Sequence, residues 1–214
     1  MAQKIHAVLI ADIVASSSQR ALRNRLGAAL DHASQLHLRR KWIKLPYSVT
    51  AGDEFQSVVA SPQFAPHIIL DLRILLQPFA LRIGVGIGSI GDPIRPPVNR
   101  LGGEAFQLAR KALDAVKSAH RSKFETLTSF SSKKGSFDET INLIYGLNDT
   151  LVGGITPKQW KTIAVFTHNP ALASTSRRLH LDKSTISRNL KRGYYWQLSA
   201  TAKVAESLIN RTFS

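Results

Sequence analysis

Tyr47-Ser48-Val49-Thr50-Ala51-Gly52-Asp53-Glu54-Phe55-Gln56-Ser57-Val58-Val59 is the stretch on which the fold turns. Two runs rich in β-branched and aromatic residues flank Gly52-Asp53, so it reads as two strands joined by a tight turn. Upstream, Ile5 to Ile10 alternates and continues into Asp12, Ile13 and Val14, which makes a first strand. Between that strand and the hairpin, Leu22, Leu26, Ala29, Leu30 and Ala33 recur at helical spacing in a segment ending near Lys41. Downstream, Phe64 to Leu76 reads as a helix with one apolar face, and Leu81 to Ile87 as another strand. A Pro-rich loop follows. Gly103 to Lys117 is then helical, Phe124 to Phe130 a strand, and Phe137 to Leu151 a helix.

The order β-α-β-β-α-β-α-β-α predicts an α/β (α+β) architecture, a ferredoxin-like sandwich built around the central hairpin. Asp12 ends the first strand and Asp53 sits in the hairpin turn, and such a sheet brings those two places near each other. Two carboxylates there suit Mg²⁺, which takes oxygen ligands and shares phosphate oxygens. The plainer alternative is a strand-end residue and a turn residue. Gly86-Ile87-Gly88-Ser89-Ile90-Gly91 matches a dinucleotide-binding spacing, but Asp92-Pro93 follows where a helix must start. Alternation explains the glycines better. Gly84, Gly86 and Gly88 share one face, which lets a helix backbone or a ligand approach closely, close helix packing being the favoured reading.

The last third of the chain is different. Thr156-Pro157 opens a helix through Gln159-Trp160-Lys161-Thr162-Ile163. Asn169-Pro170 starts a short second helix, from Ala171 to Leu179. Asp182 then caps Lys183-Ser184-Thr185-Ile186-Ser187-Arg188-Asn189-Leu190-Lys191-Arg192, which ends at Gly193. Leu172, Leu179, Leu181, Ile186 and Leu190 supply the apolar contacts of two crossed helices. Ser184, Thr185, Ser187, Arg188, Lys191 and Arg192 lie on the opposite face. This is similar to the bacterial helix-turn-helix pattern, and those six residues are the expected contacts to double-stranded DNA. His180 takes the turn position where glycine is common.

Charge supports the division. The 214 residues hold 29 Lys and Arg against 14 acids, a formal charge of +15. Residues 151–214 carry +8 of it, with Asp182 and Glu206 their only acids. The paired glycines at 153 and 154 suggest a hinge, so two domains are expected, 1–152 and 156–214. No cysteine is present, which excludes disulfides, thiolate metal sites and a cysteine nucleophile. The seven histidines form no helical pair, and neither a serine-hydrolase elbow nor a phosphate loop occurs. No apolar run approaches the roughly 20 residues of a membrane helix. The N-terminus lacks a signal-peptide cleavage site. A cytoplasmic protein with no membrane partner is the expectation.

Asp12-Ile13-Val14-Ala15-Ser16 and Gly52-Asp53-Glu54-Phe55 resemble the two metal motifs of class III nucleotidyl cyclases and their diguanylate cyclase relatives. The whole layout is similar to the SatD family. The layout includes the Leu81-Arg82-Ile83-Gly84-Val85-Gly86-Ile87-Gly88 strand, the Gly103-Glu104-Ala105-Phe106-Gln107-Leu108-Ala109-Arg110 helix and the C-terminal helix-turn-helix. The resemblance implies a cyclase-type sheet domain with Asp12, Ile13 (through its carbonyl), Asp53 and Glu54 as nucleotide and metal candidates, and Mg²⁺ with a nucleotide as cofactor. It places Gln107 and Lys111 where cyclases carry a transition-state Asn and Arg, and Tyr47 and Val49 at the base-reading positions. Ala51 replaces the first glycine of the diguanylate signature. Lysine lacks the guanidinium fork, so these departures weigh against turnover. The expected function is a DNA-binding transcriptional regulator, acting as a homodimer, with a degenerate cyclase-like domain for sensing or dimerisation that binds a nucleotide. The alternative is a Mg-dependent nucleotidyl cyclase-type enzyme using Asp12 and Asp53.

Overall fold

The computed structural model describes residues 5–14, 20–51, 53–91, 93–119 and 126–213. The expected elements appear in order: β1 (Ile5–Ile13), α1 (Arg20–Arg39), β2 (Ser48–Ala51), β3 (Glu54–Val59), α2 (Ala65–Leu75), β4 (Leu81–Ser89), α3 (Glu104–Ala119), β5 (Thr128–Ser131) and α4 (Gly135–Gly153). Four further helices follow: α5 (Pro157–His168), α6 (Leu172–Leu179), α7 (Lys183–Arg192) and α8 (Tyr195–Phe213).

The strands form one sheet in the order β2-β3-β1-β4-β5. β1 lies between β3 and β4 and is antiparallel to both, and β2 closes the hairpin on β3. The first four strands thus make the split β-α-β arrangement that the chain order predicts. β5 extends the sheet parallel to β4. A parallel neighbour needs a crossover, and α3 supplies it.

Strand alternation divides the side chains between two layers. Ala7, Leu9 and Ala11 of β1, Phe55 of β3, and Ile83 and Val85 of β4 meet α1, α2 and α4 on one face. Val8, Ile10 and Val58 meet Ala105, Ala109 and Leu113 of α3 on the other. The glycine face of β4 lies directly under α3. A methyl group on Gly86 would collide with the Ala105 carbonyl and the Ala109 amide, and one on Gly84 with the Leu113 amide. The glycines therefore set how deeply α3 settles on the sheet.

The C-terminal helices begin as their caps dictate. Thr156 and Gln159 form a reciprocal capping box, with Pro157 in the first turn of α5. Asn169 caps the C-terminus of α5 rather than opening α6, because the chain stays extended through Ala171 and α6 starts at Leu172. A third core joins Trp160, Ile163 and Phe166 of α5 to Ile186 and Leu190 of α7 and Leu198 of α8. Gly193 stops α7 with φ −87°. Packing leaves a side chain little room there, since a Cβ would lie 3.0 Å from the Asn189 carbonyl oxygen and from Ile163 Cδ1. The left-handed residue is Tyr194, at φ 54°.

The stretch expected as a hinge falls in the α4–α5 connection, with Gly154 capping α4. Two sets of contacts cross it. Ile74 of α2 and Val152 of α4 enter the third core, and Ala205 and Ile209 of α8 enter the large sheet core. α8 had no counterpart in the sequence reading, although its buried Leu198, Ala202, Ala205 and Ile209 keep helical spacing. Beneath it, Arg73 of α2 donates to Asp149 of α4 at 2.7 Å, both side chains being almost wholly buried. Among the described residues, no helix is long and apolar enough to cross a membrane.

Candidate nucleic-acid interface and carboxylate site

α6 and α7 are joined by a turn in which His180 takes the left-handed conformation, φ 53° and ψ 46°. Only the short connection His180-Leu181-Asp182 separates the helices, so the chain must reverse direction at once, and the left-handed residue does that. Asp182 occupies the N-cap position of α7 with extended backbone but makes no side-chain cap bond. Ile186 and Leu190 face inward and are fully buried, which fixes the rotation of α7. Asn189 adds a polar tie, donating to Thr162 Oγ1 of α5 at 3.1 Å.

That rotation turns the six sequence-predicted residues outward. Ser184, Ser187, Arg188, Lys191 and Arg192 are exposed and Thr185 is half-buried. Arg177 and Arg178 at the end of α6 and Lys183 at the start of α7 are exposed beside them. These three lie outside the six residues that helical spacing marks, and their charge is the sequence signal that points to them. None of the salt bridges among the described residues involves α6 or α7. Unpaired, solvated cations on one face suit phosphate oxygens, and hydroxyls and a guanidinium at the start of a helix suit base edges.

The second site lies under α3. Asp12 pairs across the sheet with Arg82, and the adjoining register of Ala11 with Phe55 sets Asp12 alongside Glu54. Both carboxylates belong to the α3 face, in line with Val8 and Ile10 on β1 and with Val58 on β3. Their side chains keep only 10 % and 11 % of their exposure. Two cations descend from α3, two turns apart. Arg110 forks onto Glu54, with contacts of 2.7 and 2.6 Å. Lys117 Nζ stands 2.9 Å from Asp12 Oδ2 and 3.7 Å from Glu54 Oε2. Arg82 approaches Asp12 at 4.0 Å. The Thr50 hydroxyl donates to Glu54 Oε1 at 3.1 Å. The Arg110 hydrogen bonds are the main reason the Glu54 carboxyl titrates below its ordinary value, against the opposing effect of its burial.

The remaining candidates make none of these contacts among the described residues. Ile13 follows Asp12 at the end of β1, and its side chain is buried in the core on the opposite face. Asp53 occupies the hairpin turn, half-buried, and enters no salt bridge among the described residues. Gln107 and Lys111 are exposed on α3. The α3 side chains that reach the acids are Arg110 and Lys117. Ala15, Ser16 and Gly52 of the quoted motifs lie outside the described residues. Among the described residues, no group of three or more His, Cys, Asp or Glu gathers as metal ligands would.

Comparison with solved structures finds distant likenesses. One is a bacterial light-regulated adenylyl cyclase, at 14 % identity and TM-score 0.38, covering 59 % of this chain and 74 % of the other. Another is a regulator of polyketide synthase expression from Bifidobacterium adolescentis, at 12 % identity and TM-score 0.34, covering 99 % and 83 %. No curated protein sequence matches. The SatD family profile matches residues 6–208, nearly the whole chain. The chain belongs to the SatD family.

Proposed function

We propose that this protein is a DNA-binding transcriptional regulator that reads duplex DNA with α7. One observation carries the reading. α7 is pinned by Ile186 and Leu190, and its outer face holds Ser184, Ser187, Arg188, Lys191 and Arg192 exposed and outside any salt bridge among the described residues. A cationic face whose charges are not consumed internally is what a polyanion needs. The hydroxyls and Arg188 fit the base-reading role, and Lys191 and Arg192 the phosphate role. The sheet domain serves sensing or assembly. A homodimer is the expected form, since helix-turn-helix proteins read paired half-sites. A nucleotide is the ligand class that the cyclase resemblance implies for the sheet domain. The cyclase-type enzyme receives less support, because Gln107 and Lys111 replace the Asn and Arg that the resemblance calls for, and lysine lacks the guanidinium fork.

The test is fluorescence anisotropy on duplex DNA from the protein's own promoter against a random duplex, at several salt concentrations. Salt-dependent binding with promoter preference is expected. Arg188→Ala should lower affinity by about 5- to 100-fold, the range for losing one specific arginine contact. Affinity that ignores both salt and Arg188 would refute the reading. A product assay with the four nucleoside triphosphates separates the enzyme alternative, which requires an Asp53-dependent product.

A further inference from the structure

We infer that Lys117 is a built-in counter-ion whose ammonium fills the place between Asp12 and Glu54 that a divalent cation would need. The native carboxylate pair is therefore closed to metal, and it opens when Lys117 is removed.

The resemblance to cyclases implies Mg²⁺ at the end of β1, and the side chains present can be tested for fit. Magnesium takes hard oxygen ligands in near-octahedral geometry. Asp12 and Glu54 together offer four carboxylate oxygens. Both oxygens of Glu54 hold the Arg110 fork, and Asp12 Oδ2 holds Lys117 at 2.9 Å. Only Asp12 Oδ1 is left, and one oxygen does not make a magnesium site. Charge argues the same way. Two carboxylates face Arg82, Arg110 and Lys117, so the cluster is already one unit positive. A divalent ion entering it would meet repulsion in a place largely shielded from water. The cluster as it stands does not fit the metal.

Asp12 Oδ1 supplies an independent observation. It is buried without a hydrogen-bond partner, on a side chain nine-tenths buried, and its nearest cation is Arg82 at 4.0 Å. A buried carboxylate oxygen with no donor is costly to keep. It marks a place where a small hard cation would be favoured if the ammonium beside it were gone. Lys117 differs from Arg110 in this respect. It bridges both acids at 2.9 and 3.7 Å, whereas Arg110 forms its ion pair with Glu54. Removing Lys117 cancels the excess positive charge, frees Asp12 Oδ2 and leaves Arg82, at 4.0 Å from Oδ1, as the nearest cation to Asp12.

Mn²⁺ serves as the probe, counted by electron paramagnetic resonance on the full chain and followed by thermal unfolding. The variants are Lys117→Met, Asp12→Asn and the double substitution. Wild type should hold no Mn²⁺ at this pair, and its unfolding midpoint should be the same in millimolar Mn²⁺ and in EDTA. Lys117→Met should unfold several degrees lower in EDTA and recover with Mn²⁺, since a ligand of the folded state stabilises by mass action. Asp12→Asn in that background should abolish the recovery. Mn²⁺ bound by wild type and lost in Asp12→Asn would overturn the inference, and so would a folded Lys117→Met that ignores the ion. If Lys117→Met does not fold, the comparison of wild type with Asp12→Asn decides alone. DNA affinity plays no part in these readouts, so this inference and the proposed function fail separately.

Discussion

The chain carries two concentrations of charge that are organised in opposite ways. Under α3, Asp12 and Glu54 are buried and each is matched by a cation, Lys117 at 2.9 Å and Arg110 at 2.6 Å. On α7, Arg188, Lys191 and Arg192 stand in solvent with no salt bridge among the described residues. The difference shows that net charge alone does not say which cations are left free for a polyanion. Cations spent on internal partners are much less available to a ligand, and cations left idle on a rigid helix cost the fold little.

The contrast is broken most severely at its buried end. Asp149→Ala strands Arg73, which is 3 % exposed, without its carboxylate. Removing one partner of a buried pair costs about 3–5 kcal/mol. Urea unfolding should show a loss of that size, with the apparent cooperativity checked by a second probe. Next is Gly86→Ala, which drives a methyl group into the backbone of α3. Overpacking costs about 1–3 kcal/mol, and here backbone cannot step aside as a side chain would, so the upper end is expected in the same assay.

Glu54 sharpens the comparison through pH. Its folded carboxyl titrates below the ordinary value because Arg110 holds it ionised. Such a group contributes stability above its unfolded pKa, about 4.3, and loses that contribution as pH falls through the lowered folded value. Wild type should therefore lose stability steadily below about pH 4.5. Glu54→Gln should start about 1–3 kcal/mol less stable at neutral pH, the range for a hydrogen bond to a charged group, and should lose less on acidification. Identical acid limbs for the two proteins would show that the Arg110 contact contributes nothing. The smallest effect on stability belongs to the region proposed to matter most for DNA. Arg188→Ala and Arg192→Ala should each stay within about 0.5 kcal/mol of wild type, as exposed substitutions do, while weakening DNA binding. A large stability loss there would mean that these cations are structural.

Most of the sheet was legible because its signals are local. The alternation of Ile5 to Ile10, the Gly52-Asp53 turn and the apolar faces of α1 and α2 are all readable within a short window. The packing of α3 on the glycine face was legible for the same reason. The acid site was readable only in part. Whether Asp53 or Glu54 faces α3 depends on the hairpin register, which shifts between Val49 and Ala51. Which positions of α3 look down on the acids depends on how the helix is rotated over Gly84 and Gly86. Neither quantity is written in residue spacing, so Arg110 and Lys117, which make the contacts, carry no local mark that sets them apart from other cations on the helix. α7 was easier, since Ile186 and Leu190 fix its rotation by themselves. α8 was missed because its residues serve two distant cores, and no window of sequence contains both.

α8 has a consequence for DNA geometry. Its start is fixed by Leu198, which packs in one core with residues of α5 and α7, and its end by Ile209 in the sheet core. Its 19 residues make a rod of about 28 Å. Under the proposed function, a DNA-reading unit mounted on both cores in this way has little slack. In a dimer, the separation of the two α7 helices would be dictated by the bodies that carry them rather than absorbed by a tether. Half-sites moved apart by half a helical turn of DNA should then lose binding outright, where a flexibly linked head would swing round and keep it.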